Sequence, residues 1–242
     1  MTGVLSGIRV LDFGRYLAGP FCAALLGDLG AEVIRIEQPA GGEDRYLLPI
    51  GSEEGGVVMM QMGRNKKGMT LNLGAKESAD IIARLVLSAD VVIANLPTPV
   101  LEKIGLDYQT LKAIKENIIL TTTTAFGEGG PYSKKVGFDG VAQAMAGSMH
   151  MTGDPDSPMK ASVAYVDYAT ASLSAFTTMA ALYEVKNGGK GQHVETSLLS
   201  SAITLGSGTI TEQAHVSPNR VASGNRAQSA GPADCFQTKD GW

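Results

Sequence analysis

IRVLDFGRYLAGPFCAALLGDLGAEVIRIE, residues 8–37, decides the fold. An apolar run over 8–13 reads as a short strand. It passes through Gly14 and Gly19 into residues 20–29, where apolar side chains recur at helical spacing, and a second strand follows over 31–37. Strand, glycine turn, helix and strand in one uninterrupted stretch form a βαβ unit, whose crossover should be right-handed and whose strands should be parallel.

Working outward, the alternation continues. Residues 69–73 read as a strand, 76–87 as a helix and 91–94 as a strand. Short helices centre on Leu101 and Leu111, and 118–124 forms another strand. This order predicts an α/β fold built on a parallel sheet flanked by helices. At 127–140 the texture changes to GEGGPYSKKVGFDG, a loop too glycine-rich for a regular element and a natural carrier of function. A helix over 139–151, a polar loop over 152–162 and a long helix over 167–185 come next. The small residues of that last helix predict close packing at the centre of the fold. Gly188 and Gly189 stop it, a strand begins at His193, and a final helix fades near His215. Beyond Ser217 the chain is polar, and Lys239-Asp240-Gly241 reads as a hairpin turn whose second strand would start at Trp242, so a further C-terminal region is expected.

Composition excludes several classes. The 242 residues are 44% hydrophobic and 18% charged, which is the balance of a globular chain rather than a disordered one. No apolar run approaches the ~18 residues of a membrane span. Twenty basic and twenty-four acidic residues give a net charge of −4, and the basic ones are dispersed, so neither a nucleic-acid footprint nor a membrane anchor is expected. Two cysteines, Cys22 and Cys235, and a start without a signal-peptide pattern predict a cytoplasmic location. No G-x-G-x-x-G, Walker A or G-x-S-x-G motif occurs, and His150, His193 and His215 lack a His or Cys at ligand spacing, so no metal site is expected.

Four stretches together resemble the class III CoA-transferase family, which holds formyl-CoA and carnitine CoA-transferases and the α-methylacyl-CoA racemases. They are residues 5–39, GRNKKGMTLNL at 63–73, GFDGVAQAMAG at 137–147, and 163–199. The resemblance spans essentially the whole chain. It implies a Rossmann-like CoA-binding catalytic domain over 1–216, with 217–242 as a linker and the start of a smaller C-terminal domain. It also implies an interlocked homodimer, and acyl-CoA and a small carboxylic acid as substrates, with no permanently bound cofactor.

The resemblance places the catalytic aspartate on Asp167, in Tyr165-Val166-Asp167-Tyr168. Read from the residues alone, an acid opening a helix is an N-cap, and on either reading the helix amides should keep its carboxylate ionised and its pKa low. The chemistry implied is attack of Asp167 on a thioester, giving a mixed anhydride and then an aspartyl-CoA thioester. CoA contacts carried over from the family fall on Leu17, Ala18, Gln38, Leu71, Asn72, Asn95, Lys103 and Phe138. Gln38 replaces a frequent family arginine, and Leu17 replaces the glutamine of formyl-CoA transferase, which argues against oxalate and formyl-CoA. Arg64, Lys66 and Lys67 read either as phosphate contacts or as a solvated basic surface. Phe138 occupies the position of the racemase histidine and cannot carry a proton, which weighs against a two-base racemase; Asp139 after it reads as a helix N-cap. Gly224 lies in a loop that reads either as a site cover or as an ordinary connection. Two further readings are a non-catalytic CoA-binding or assembly module, and a nucleotide-dependent oxidoreductase with Glu37 holding a ribose hydroxyl.

Overall fold

The computed structural model describes residues 3–50 and 55–242. Six parallel strands form one sheet: β1 (Arg9–Asp12), β2 (Glu32–Glu37), β3 (Lys66–Thr70), β4 (Val91–Ala94), β5 (Ile119–Thr124) and, after a two-stranded hairpin β6 (Gly153–Asp154) and β7 (Ser157–Pro158), β8 (His193–Ser197). Their spatial order is β3-β2-β1-β4-β5-β8. The chain starts in the middle, winds outward to β3, and returns to the other side of β1 at β4. The carboxyl ends of β1 and β4 therefore diverge around a crevice, the place where open α/β sheets hold ligands.

Because a strand points successive side chains to opposite faces, neighbouring residues enter different cores. Val10, Val33, Val91 and Ile119 pack beneath α1 (Ala18–Asp28) and α7 (Tyr165–Lys186). Leu11, Ile36, Val92 and Leu120 pack on the other face, beneath α3 (Ser78–Leu87), α4 (Thr98–Ile104) and α5 (Tyr108–Ile114). The remaining α-helices are the short α2 (Val57–Met62), α6 (Asp139–Met145), and α8 (Leu198–Leu205) and α9 (Ser207–Val216) with Gly206 between them, and a 3-10 turn spans Glu43–Tyr46.

The small residues of α7 bring its backbone close to the sheet. Thr170, Ser174 and Thr178 are buried, and each hydroxyl donates to the carbonyl four residues earlier. Thr178 and Ser174 also meet Thr121 and Thr123 of β5 at 2.7 and 3.2 Å, so these buried hydroxyls are satisfied.

Several expected boundaries move. β3 begins at Lys66 rather than Met69, because Lys66 runs its stem inward to an ion pair with Asp12, at 2.7 Å, while Lys67 turns out to Glu32. The helix expected over 139–151 ends at Met145, and α2 had no counterpart in the sequence pattern. α7 starts at Tyr165 with Ala164 as its N-cap, so Asp167 is the third helical residue and not the cap. At the chain's end the Thr238 N–H donates to the Gly241 carbonyl at 2.7 Å, closing the expected turn, and no strand pairs there.

Candidate active site

The crevice at the strand ends opens into a cavity of about 260 Å3. Its floor comes from Ala18 at the start of α1, from Thr123 and Thr124 at the end of β5, and from Asn95 just past β4. Asp167 projects into it from the first turn of α7, and the glycine-rich loop closes one side with Ser133, Lys135 and Phe138. A larger cavity of about 920 Å3 lies beyond Tyr165, along α9, and Asp167 is not in its wall.

The loop between β1 and α1 is built rigidly. The Arg15 N–H donates to Asn95 Oδ1 at 2.7 Å, and Asn95 Nδ2 donates back to the Arg15 carbonyl at 2.7 Å. Tyr16 takes a left-handed conformation, φ 61°, and its N–H donates to Asp44 Oδ2. A side chain at Gly14 would put a carbon 2.7 Å from the Pro20 ring and 2.8 Å from Asp12 Oδ1, so this tight turn requires glycine. The result is Arg15 fixed at the cavity's edge and the Tyr16 ring set edge-on to Phe138, centroids 5.5 Å apart.

Asp139 supplies what Asp167 was expected to supply for itself. Its Oδ2 accepts from the Val166 N–H at 2.8 Å and the Asp167 N–H at 3.1 Å, so it caps α7 from the first residue of α6. Asp139 does not cap its own helix, whose N-cap position is Phe138. With the helix amides taken by a neighbour's carboxylate, the Asp167 carboxyl is pushed up to about 7, first by burial and then by the Asp139 charge. The low pKa expected from capping is thus reversed, because the cap and the acid are different residues.

The other sequence-derived contacts divide. Ala18, Asn95 and Phe138 line the cavity with Asp167, although both ends of the Asn95 amide are engaged with Arg15. Gln38 and Asn72 line a neighbouring pocket of about 160 Å3 that also reaches Arg15. There Gln38 donates to the Gly41 carbonyl, and Asn72 accepts from the Gly74 N–H. Leu71 is buried in the core beneath α3, α4 and α5, Leu17 is the N-cap of α1, and Lys103 is exposed in the last turn of α4; none of the three lines either space. Arg64, Lys66 and Lys67 are paired within the chain, with Asp28, Asp12 and Glu32. Glu37 is consumed by Arg35 and Arg45 and by the Gly42 N–H, which leaves it no freedom to hold a ribose. Gly224, φ 60°, is tied by its N–H to the Gly153 carbonyl and does not line the Asp167 cavity.

Sequence reasoning passed over Arg15, Lys135, Thr123 and Thr124. The only signal was indirect, a basic pair inside a glycine-rich loop and an arginine in the turn after the first strand. Among the described residues no cluster of His, Cys, Asp and Glu could hold a metal ion, and no helix is long and apolar enough to cross a membrane.

Residues 5–242 match the family described as CoA-transferase family III. Among curated proteins, the chain is 40% identical over 203 residues to the succinate–glutarate CoA-transferase of Agrobacterium fabrum, covering 81% of this chain and 51% of that protein. It is 35% identical to the succinyl-CoA:glutarate CoA-transferase of Mus musculus, covering 98% of this chain and 55% of that one. Among solved structures, a CAIB/BAIF family protein from Brucella suis superposes on the whole chain with a TM-score of 0.92 at 33% identity, with 65% of its own length covered. The chain thus spans about half the length of these curated relatives.

Proposed function

The chain belongs to CoA-transferase family III, and from that premise we propose that it moves coenzyme A from an acyl-CoA donor to a free carboxylic acid, with Asp167 as the nucleophile. The observation that carries this reading is the Asp167 carboxylate itself: partly desolvated, in a cavity of molecular size, and raised to about 7, where a carboxylate is both ionisable and unusually basic.

In the proposed sequence an Asp167 oxygen attacks the thioester carbonyl, the carbon–sulfur bond breaks, and CoA leaves as thiolate. The thiolate then attacks the Asp167 carbonyl and expels the donor acid, leaving an aspartyl-CoA thioester. The acceptor carboxylate repeats both steps in reverse. One thioester is exchanged for another, so no ATP hydrolysis enters the balance. CoA is a substrate here, not a resident cofactor. The anhydride and thioester both hydrolyse, so the cavity must keep water out; Phe138 and Tyr16 at its edge would serve that purpose.

The relatives named above act on succinate and glutarate, and we extend that class, short dicarboxylic acids, to this chain. Arg15 and Lys135 support it: both stand in the wall of the cavity that holds the nucleophile, and the 3.6 Å pairing of Arg15 with Glu43 is solvent-exposed and loose enough to yield to an acid's second carboxylate. The racemase reading has less support, because Phe138 brings no proton-transferring group to the position beside Asp139. A CoA-transfer screen against mono- and dicarboxylic acids tests the proposal. Transfer confined to dicarboxylates is expected; solvent deuterium entering the α-carbon without transfer would support the racemase instead, and CoA binding with neither reaction would support a binding module.

A further inference from the structure

We propose that Asp139 is the positioning residue of this site: its carboxylate locks the first turn of α7 through the Val166 and Asp167 N–H groups, and its negative charge drives the charge of Asp167 onto the departing sulfur. The inference rests on the covalent route proposed above.

The geometry around Asp139 is closed. It is buried, and its partners are all neutral donors: two backbone N–H groups on Oδ2 and the Gln143 amide on Oδ1. Gln143, also buried, accepts in turn from the Ala161 N–H at 2.9 Å, anchoring the chain that leads into α7. A capping residue with nothing else to do would be served as well by a neutral Ser, Thr or Asn. A carboxylate without a counter-cation is a costly choice in such a place, and its Oδ2 sits against the backbone N–H of a second acid, Asp167.

The reaction supplies a reason. When the Asp167 oxygen bonds to the acyl carbon and the carbon–sulfur bond breaks, the electron pair leaves with sulfur and the Asp167 side chain becomes neutral. It remains neutral in the aspartyl-CoA thioester. Repulsion from Asp139 acts on the resting carboxylate and vanishes in both intermediates, so it favours acylation and makes the nucleophile more basic. The other charged or titratable groups facing Asp167 are Arg15 and Tyr16 from the loop after β1, and Lys135 from the glycine-rich loop. α1, β5 and α8 present only Ala18, Thr123, Thr124 and Leu198 to the cavity. Burial and the Asp139 charge are the two causes that raise Asp167.

The test separates charge from hydrogen bonding. Asp139→Asn keeps an oxygen for the two α7 amides but sets its NH2 against the Gln143 amide. Combining it with Gln143→Glu restores that contact and the one to Ala161, and moves the charge one side chain away from Asp167. In both variants, 13C titration of the Asp167 carboxyl, assigned with Asp167→Asn, should show a midpoint lower than wild type by roughly one pH unit or more. The acid limb of kcat/KM should move with it, and turnover at pH 8 should fall. An unmoved Asp167 midpoint in the folded double variant overturns the inference. So does a wild-type midpoint at the ordinary aspartate value of ~4. Undiminished transfer by Asp167→Asn would instead sink the covalent route, which keeps the two failures distinct.

Discussion

Asp167→Asn should stabilise the protein, and more so at high pH. The substitution preserves shape and removes a charge that the fold tolerates poorly. Asp167 rises from 3.8 to about 7 on folding. An acid whose folded pKa is raised binds more protons folded than unfolded between those values, so stability is lost as pH climbs from about 4 to 7. Three pH units correspond to about 4 kcal/mol, and the solvent contact that Asp167 keeps reduces this to roughly 2 kcal/mol at pH 8. The dipole at the helix N-terminus favours a carboxylate by only ~0.3–1 kcal/mol, so it does not reverse the sign. At pH 5 the folded wild type is already protonated, and the gain should shrink to roughly 1 kcal/mol or less. For a chain of this size, the gain at pH 8 is an increase in Tm of about 4–8 °C. Urea unfolding of wild type and Asp167→Asn at pH 5 and 8 measures it. Equal differences at both pH values would refute the strained-carboxylate reasoning.

Asn95→Ala removes both hydrogen bonds that hold Arg15 and should destabilise the fold by about 1–3 kcal/mol in urea titration, with a larger rise in KM than fall in kcat; an unchanged KM would mean that this loop does not shape the site. Lys66→Met leaves Asp12 buried without its cation and should cost about 3–5 kcal/mol, read from the same titration. A smaller loss would show that water reaches Asp12. α7 leaves Leu173, Phe176 and Tyr183 exposed along one face, and the family resemblance implies a homodimer. Light scattering at micromolar concentration should give twice the chain mass, and a sharp monomer would contradict that assembly.

The central βαβ unit was legible because its signals are local: apolar runs of strand length, glycines at the turn, helical periodicity in 20–29. The crevice between β1 and β4 was not legible, because the linear order of strands does not say on which side of β1 the chain places β4. What escaped depends on partners distant in sequence. Nothing near Lys66 indicates that its ammonium will meet Asp12, 54 residues away, and so extend β3 toward the N-terminus. Asp167 was found by resemblance, yet its protonation was misjudged, because the cap of its helix comes from Asp139, 28 residues earlier. Asn95 reads as a ligand contact in sequence but is occupied by the Arg15 backbone in the fold. Arg15 itself has no periodicity to mark it, since its place at the cavity depends on a turn held from β4.

The covalent role of Asp167 is tested most directly by trapping. Hydroxylamine attacks anhydrides and thioesters but leaves a resting carboxylate untouched, so incubation with succinyl-CoA and hydroxylamine should convert the Asp167 side chain to a hydroxamate. Peptide mass mapping should find that change only when acyl-CoA is present, with loss of transfer in proportion. Transfer-competent protein that shows no acyl-CoA-dependent modification at Asp167 would contradict the account and favour direct transfer between bound substrates.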